Sequence, residues 1–134
     1  MALRLCLDTS AYSRFKGGDP SAVERVDEAE WIGVPTIVLG KLEAEFRLGG
    51  QATRNAAELE AFMDHPAVTA VPVDREVARI YAEIVTTLRS KGTPIPTNDV
   101  WVASCAARAG ATLLTYDDHF RAVDRIGVLL LDSD

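Results

Sequence analysis

The stretch Gly110-Ala111-Thr112-Leu113-Leu114-Thr115-Tyr116-Asp117 decides the fold: a glycine stop, then a short apolar run, then an acid. A helical apolar pattern at 98–109 precedes the glycine, so the local order is helix, strand, acidic residue. Short apolar runs alternate with longer amphipathic ones along the rest of the chain. Strands separated by helices imply a parallel sheet with helices on both faces, so the sequence predicts an α/β protein.

The same patterns predict the individual elements. We expect strands at 3–7, 31–34, 68–73, 111–115 and 127–131, and helices at 10–16, 20–29, 35–48, 52–64, 74–91, 98–109 and 117–124. Ser10 is expected to cap the first helix, and Pro35 to open the third. The 134 residues contain no internal repeat and predict one domain spanning 1–134.

Composition limits the classes of function. The formal net charge of −6 argues against broad electrostatic binding to nucleic acid. It leaves room for a nucleic-acid substrate, because a bound divalent cation reverses the field of an acidic cleft. We expect no membrane span and, since Arg4 and Asp8 interrupt the first apolar run, no signal peptide. Cys6 and Cys105 fall inside predicted elements, which predicts reduced thiols and a cytoplasmic protein.

Three acidic residues stand at the ends of predicted elements. Asp8 closes the run 3–7, Asp99 opens the apolar run of a helix, and Asp117 closes the quoted stretch. Ligands bind outside the carboxyl ends of parallel strands, so residues far apart in sequence can converge there. Each acid alone is also compatible with a helix cap or a turn. As a set they predict a site for a hard cation.

Four motifs in register resemble one family. The segments Thr97–Ala103 and Gly110–Phe120 closely resemble the C-terminal half of PIN-domain ribonucleases of the VapC toxin type. Leu7–Ser10 matches the start of that family, and Val34–Gly40 matches the entry to its central helix. The resemblance implies a three-layer α/β/α sandwich with a mostly parallel sheet, and a metal-dependent endoribonuclease. It also implies a homodimer and a cognate antitoxin, the partner protein of a type II toxin–antitoxin system.

The resemblance also implies roles for particular residues. Asp8, Asp99 and Asp117 would be the catalytic acids that bind Mg²⁺ or Mn²⁺, the cations that activate water and neutralise charge in phosphodiester hydrolysis. Short polar residues beside these acids would orient carboxylates, waters or a phosphate oxygen: Thr9, Ser10, Asn98 and Thr115. His119 is expected to face solvent or to pair with an aspartate, because the family does not use this position for metal.

One position departs from the family pattern. Lys41 follows Gly40, where the family usually has the glutamate that serves as its fourth acid. Glu45 lies one turn further on, nearly on the same helix face but about 6 Å along the axis. Two arrangements stay open: Glu45 reaches the metal through a water, or the Lys41 ammonium lies among the carboxylates and weakens metal binding. The competing function is an inactive PIN module that acts through RNA or antitoxin binding.

Overall fold

The computed structural model of the chain describes residues 2–132, which form a single five-stranded sheet. The strands are β1 (Arg4–Leu7), β2 (Trp31–Pro35), β3 (Val68–Val71), β4 (Thr112–Thr115) and β5 (Val128–Leu130). Their spatial order is β3-β2-β1-β4-β5, and every neighbouring pair is parallel. The predicted parallel sheet is therefore confirmed, with β1 at its centre.

Helices connect the strands. They are α1 (Thr9–Lys16), α2 (Pro20–Glu28), α3 (Thr36–Leu48), α4 (Ala52–Met63), α5 (Arg75–Ser90) and α6 (Thr97–Ala109), with a 3-10 helix at Asp118–Ala122. The consecutive residues Leu5, Cys6 and Leu7 of β1 are all fully buried. Since neighbouring residues of a strand point to opposite faces, both faces of the sheet are covered. The predicted three-layer α/β/α sandwich is confirmed.

Several helix and strand boundaries differ from the predicted ones for local chemical reasons. The cap of α1 is Asp8 rather than Ser10, because the Asp8 carboxylate accepts the Ala11 N–H. Strand β3 ends at Val71 instead of 73, where Pro72 offers no N–H to the sheet. Helix α3 begins at Thr36, because Pro35 is the last residue of β2. The helix predicted at 117–124 is the shorter 3-10 helix.

Both cysteines are buried and free, as predicted. Burial is the main cause that raises the pKa of the Cys105 thiol to about 11, and it raises the pKa of Cys6 as well. Within residues 2–132, every helix is too short or too polar to cross a membrane.

Two glycines offer a matched test of packing. A Cβ on Gly33, in β2, would lie 2.5 Å from the Trp31 ring and 2.8 Å from a Val71 methyl carbon, whereas one on Gly40, in α3, would meet no atom within 4 Å. We expect Gly33→Ala to destabilise the fold by roughly 1–3 kcal/mol through overpacking. Gly40→Ala should stabilise it by about 0.5–1 kcal/mol, because alanine suits a helix interior. Thermal melts of both variants measure this, and equal shifts of the same sign would contradict it.

Candidate active site

The sheet places two of the predicted acids side by side. Asp8 directly follows β1, and Asp117 lies two residues after β4. These strands are neighbours in parallel register, with Leu7 paired to Leu114, so their carboxyl ends meet at one edge of the sheet. The convergence predicted from strand order follows directly from this pairing.

Asp8 is buried and held by hydrogen bonds on both carboxylate oxygens. Its Oδ1 accepts the Ala11 N–H and the Ser10 hydroxyl, each at 2.8 Å. Its Oδ2 accepts the Thr115 hydroxyl. The cap that starts α1 therefore also fixes the orientation of this carboxylate. The capping interpretation of Asp8 is confirmed, and it is compatible with the predicted role of Asp8 in a metal site.

The two hydroxyls connect Asp8 to the end of β4. Ser10 Oγ accepts the Tyr116 N–H at 3.0 Å, and Thr115 Oγ1 accepts the Asp117 N–H at 2.9 Å. Each hydroxyl thus donates to Asp8 and accepts from the segment that carries Asp117. Ser10 and Thr115 therefore connect Asp8 to the backbone at Tyr116 and Asp117, an arrangement compatible with the supporting roles predicted for them.

Asp99 approaches the same cleft from α6. This helix begins at Thr97 after Pro96, so Asp99 lies in its first turn and does not cap it. The cap interpretation of Asp99 that the sequence allowed is wrong. Burial is the main cause that raises the pKa of Asp99, and the Asp117 charge also raises it, while His119 and Lys41 lower it. Burial likewise raises the pKa of Asp8, against the opposing effect of its hydrogen bonds.

His119 bridges Asp99 and Asp117. Its Nδ1 lies 3.1 Å from Asp99 Oδ2 and 3.0 Å from Asp117 Oδ1. The predicted pairing with aspartate is confirmed, but with two partners instead of one. The hydrogen bond to Asp99 is the largest cause that raises the pKa of His119, followed by the charge of Asp117. The sequence signal for the contact with Asp117 was the position of His119 two residues after it.

Of the remaining predicted residues, Thr9, Asn98 and Lys41 line the cleft that contains the acids, and Glu45 is not part of its lining. The cleft between these elements is lined by Asp8, Thr9, Ser10, Ile37, Val38, Lys41, Asn98, Asp99, Val102 and Asp117. Lys41 is exposed at its rim, close enough that its charge lowers the pKa of Asp99. Glu45 is also exposed on α3, but it is not one of the described residues that line the cleft.

The donor chemistry fits a divalent cation. One carboxylate oxygen from Asp99, one from Asp117 and a ring nitrogen of His119 lie within 4.8 Å of one another. Carboxylate oxygens are the ligands that Mg²⁺ and Mn²⁺ prefer, and imidazole is a common ligand of the later transition metals. Asp8, deeper in the same cleft, adds a third negative charge.

Comparison with known proteins identifies the family of the chain. The model of the PIN domain family matches residues 5–126. Ribonuclease VapC5 of Mycobacterium tuberculosis is 26% identical over 121 residues, covering 88% of this chain and 86% of that protein. Ribonuclease VapC4 of the same organism is 27% identical over 133 residues, covering 96% of this chain and 97% of that protein.

A solved structure shares the fold. The chain superimposes with a TM-score of 0.85 on VapBC2 from Rickettsia felis, which was crystallised with a DNA fragment from its promoter. The match covers 97% of this chain and 100% of that one at 21% sequence identity. The resemblance to VapC ribonucleases drawn from four motifs is thus confirmed, and the chain belongs to the PIN domain family.

Proposed function

We propose that this chain, as a single PIN domain, is a metal-dependent endoribonuclease that hydrolyses RNA phosphodiester bonds and acts as the toxin of a toxin–antitoxin pair. The observation that carries the proposal is the convergence of Asp8, Asp99 and Asp117 in one cleft at the carboxyl ends of β1 and β4. Membership of the PIN family and two relatives named ribonuclease VapC support it.

The acids suit the demands of this reaction. Phosphodiester hydrolysis requires an activated water and compensation of the negative charge that develops on the phosphate oxygens. A bound Mg²⁺ or Mn²⁺ supplies both. Asp99 and Asp117 would hold the ion, since an oxygen of each lies within 4.8 Å of the other. Asp8 would hold it from below, with its carboxylate already oriented by Ser10 and Thr115.

The polar residues beside the acids would orient the carboxylates, the water and the phosphate group. Thr115 keeps Asp8 fixed and also binds the Asp117 backbone, so one hydroxyl sets the relative position of two acids. Thr9 and Asn98 line the same cleft with short polar side chains. They are suited to bind a water or a phosphate oxygen beside the reacting bond. Reactions that depend on such placement lose rate steeply when geometry loosens by an ångström.

Lys41 modifies the site without removing it. Its ammonium opposes a cation at the rim and leaves the cleft one carboxylate short of the usual family set. The expected result is weaker metal binding rather than an inactive module, because the three acids and their supports are in place. Glu45 is exposed outside the cleft lining, so a role for it through a bridging water stays a prediction.

The partner is proposed to be an antitoxin. Structure relatives with TM-scores of 0.85 and 0.82 are VapBC complexes from Rickettsia felis and Salmonella typhimurium. A basic side chain of such a partner, above all arginine, would pair with the cleft carboxylates and exclude metal.

We also propose a cytoplasmic homodimer. Light scattering tests the dimer, and a monomeric mass at micromolar concentration would count against it.

Removing divalent cations tests the proposed activity. Purified chain should cleave single-stranded RNA in the presence of Mn²⁺ or Mg²⁺, and an excess of EDTA should abolish the cleavage, because water activation and charge neutralisation both depend on the ion. Adding back Mn²⁺ should restore it. Fragments are resolved on denaturing gels, with a 5′-labelled RNA to show internal cuts. Cleavage that persists in EDTA would contradict the metal-dependent mechanism.

A further inference from the structure

The position of His119 has a consequence for the metal site. Its Nδ1 lies 3.0 Å from Asp117 Oδ1 and 3.1 Å from Asp99 Oδ2, two oxygens that are themselves candidate ligands. Donor atoms from the three residues lie within 4.8 Å of one another. Ligand atoms around one divalent ion are about 2–2.6 Å from it, so such a spacing lets a single ion reach all three.

The backbone directs the ring to this place. The His119 N–H donates to Asp117 Oδ1 at 2.9 Å at the start of the 3-10 helix. The same Asp117 oxygen thus contacts both the main chain and the ring of His119. Roughly half of the side chain is exposed (49%), so the ring lies at the surface beside two of the acids that line the cleft, where solvent and a dissolved ion can reach it.

The supply of carboxylate ligands is short in this chain. Asp8 Oδ1 already accepts two hydrogen bonds and Oδ2 one, of about four that a carboxylate can accept. Lys41 stands at the rim as a cation where an acid would have added oxygens. Asp99 and Asp117 therefore leave room for a further protein donor, and the Nδ1 of His119 already contacts both. An ion bound by this nitrogen would replace the proton that it shares with the two carboxylates.

We propose that His119 is a metal ligand that, together with Asp99 and Asp117, makes this site prefer Mn²⁺ and Co²⁺ over Mg²⁺. The inference rests on the proposed metal-dependent function and specifies its ion. Imidazole binds later first-row metals well, whereas Mg²⁺ retains oxygen ligands and water. Loss of the ring should consequently weaken Mn²⁺ and Co²⁺ binding far more than Mg²⁺ binding.

Calorimetric titration of the free protein measures this without RNA. The chain has two histidines, so His65→Asn is the matched control for His119→Asn; His65 lies beyond α4 and accepts the Ala67 N–H. We expect His119→Asn to weaken Mn²⁺ and Co²⁺ binding about 10–100-fold, to change Mg²⁺ affinity less than threefold, and to leave the melting temperature unchanged. His65→Asn should bind all three ions as the unsubstituted protein does.

Histidine NMR gives an independent readout on the unsubstituted protein. With ¹⁵N-labelled histidine, Co²⁺ should strongly shift or broaden the ring signals of His119 and spare those of His65. This result locates the ion beside His119, and ligation by the ring is measured by the calorimetric loss in His119→Asn. Equal Mn²⁺ affinity in both variants, or His119 signals that Co²⁺ leaves unchanged while it binds, would overturn the proposal. In that case EDTA-sensitive RNA cleavage would still support the nuclease. Absence of any divalent binding would overturn both.

Discussion

Replacing Asp99 with asparagine is expected to reduce metal-dependent RNA cleavage by about 100-fold or more, with the fold intact. The substitution keeps the shape of the side chain but removes a negative charge from the group that holds the cation, and such electrostatic contributions are large in a partly buried site. Asp99 is the most suitable acid to replace. Asp8 accepts hydrogen bonds on both oxygens, so an amide nitrogen there would face a donor.

The melting temperature of Asp99→Asn should be equal to or higher than that of the unsubstituted protein in the absence of metal. Burial raises the pKa of Asp99 and Asp8 above their ordinary values. The folded state therefore holds these protons more tightly than the unfolded chain, and stability falls as the pH rises from the unfolded pKa through the folded one. At neutral pH both charges oppose folding, and a neutral amide at Asp99 removes part of that cost.

The control for Asp99→Asn is Asp64→Asn, which removes the same charge from an exposed residue after α4 and away from the cleft lining. RNA cleavage rates at saturating Mn²⁺, with thermal melts of both proteins, decide the matter. Unimpaired cleavage by a clean preparation of Asp99→Asn would remove this residue from the site. A similar loss in Asp64→Asn would indicate a general charge effect instead.

The sequence predicted the alternation of elements and the convergence of the acids for one physical reason. Asp8 and Asp117 each end a buried strand, and parallel strands bring their carboxyl ends to one edge whatever lies between them in the chain. Asp99 was harder to place, because Pro96 rather than Asp99 is the N-cap of α6, so that Asp99 is a residue of the first turn instead of the cap.

Other features depend on hydrogen bonds that the pattern of apolar residues does not specify. Asp8 rather than Ser10 caps α1, and Ser10 instead connects two segments that are 106 residues apart. The contact of His119 with two acids requires both the 3-10 helix and a particular ring orientation. Proline at 72 shortened β3 by two residues relative to the pattern of apolar residues, which continues to Val73. Each of these differences is set by hydrogen bonding of short polar groups or of the backbone.

Replacing Lys41 with glutamate is expected to tighten Mn²⁺ binding roughly tenfold and to raise RNA cleavage at subsaturating metal. The change removes a positive charge from the rim of the cleft and adds an oxygen ligand, and the charge and number of ligands govern divalent affinity in oxygen-rich sites. Lys41 lies close enough to Asp99 for its charge to lower the pKa of that carboxyl, although burial raises it more. Expression of the variant without its antitoxin should also be more toxic to the host.

Two further variants make this result specific. Lys16→Glu introduces the same change of charge at the end of α1, outside the lining of the cleft, and should leave metal affinity within about twofold. Glu45→Gln should also leave affinity and cleavage unchanged, because Glu45 is exposed on α3 outside that lining.

A loss of cleavage in Glu45→Gln together with no gain in Lys41→Glu would show that Glu45 completes the site through water. No gain from Lys41→Glu and no loss from Glu45→Gln would mean that α3 contributes no ligand from either position, and the cation would then rest on the ends of β1, β4 and α6 alone.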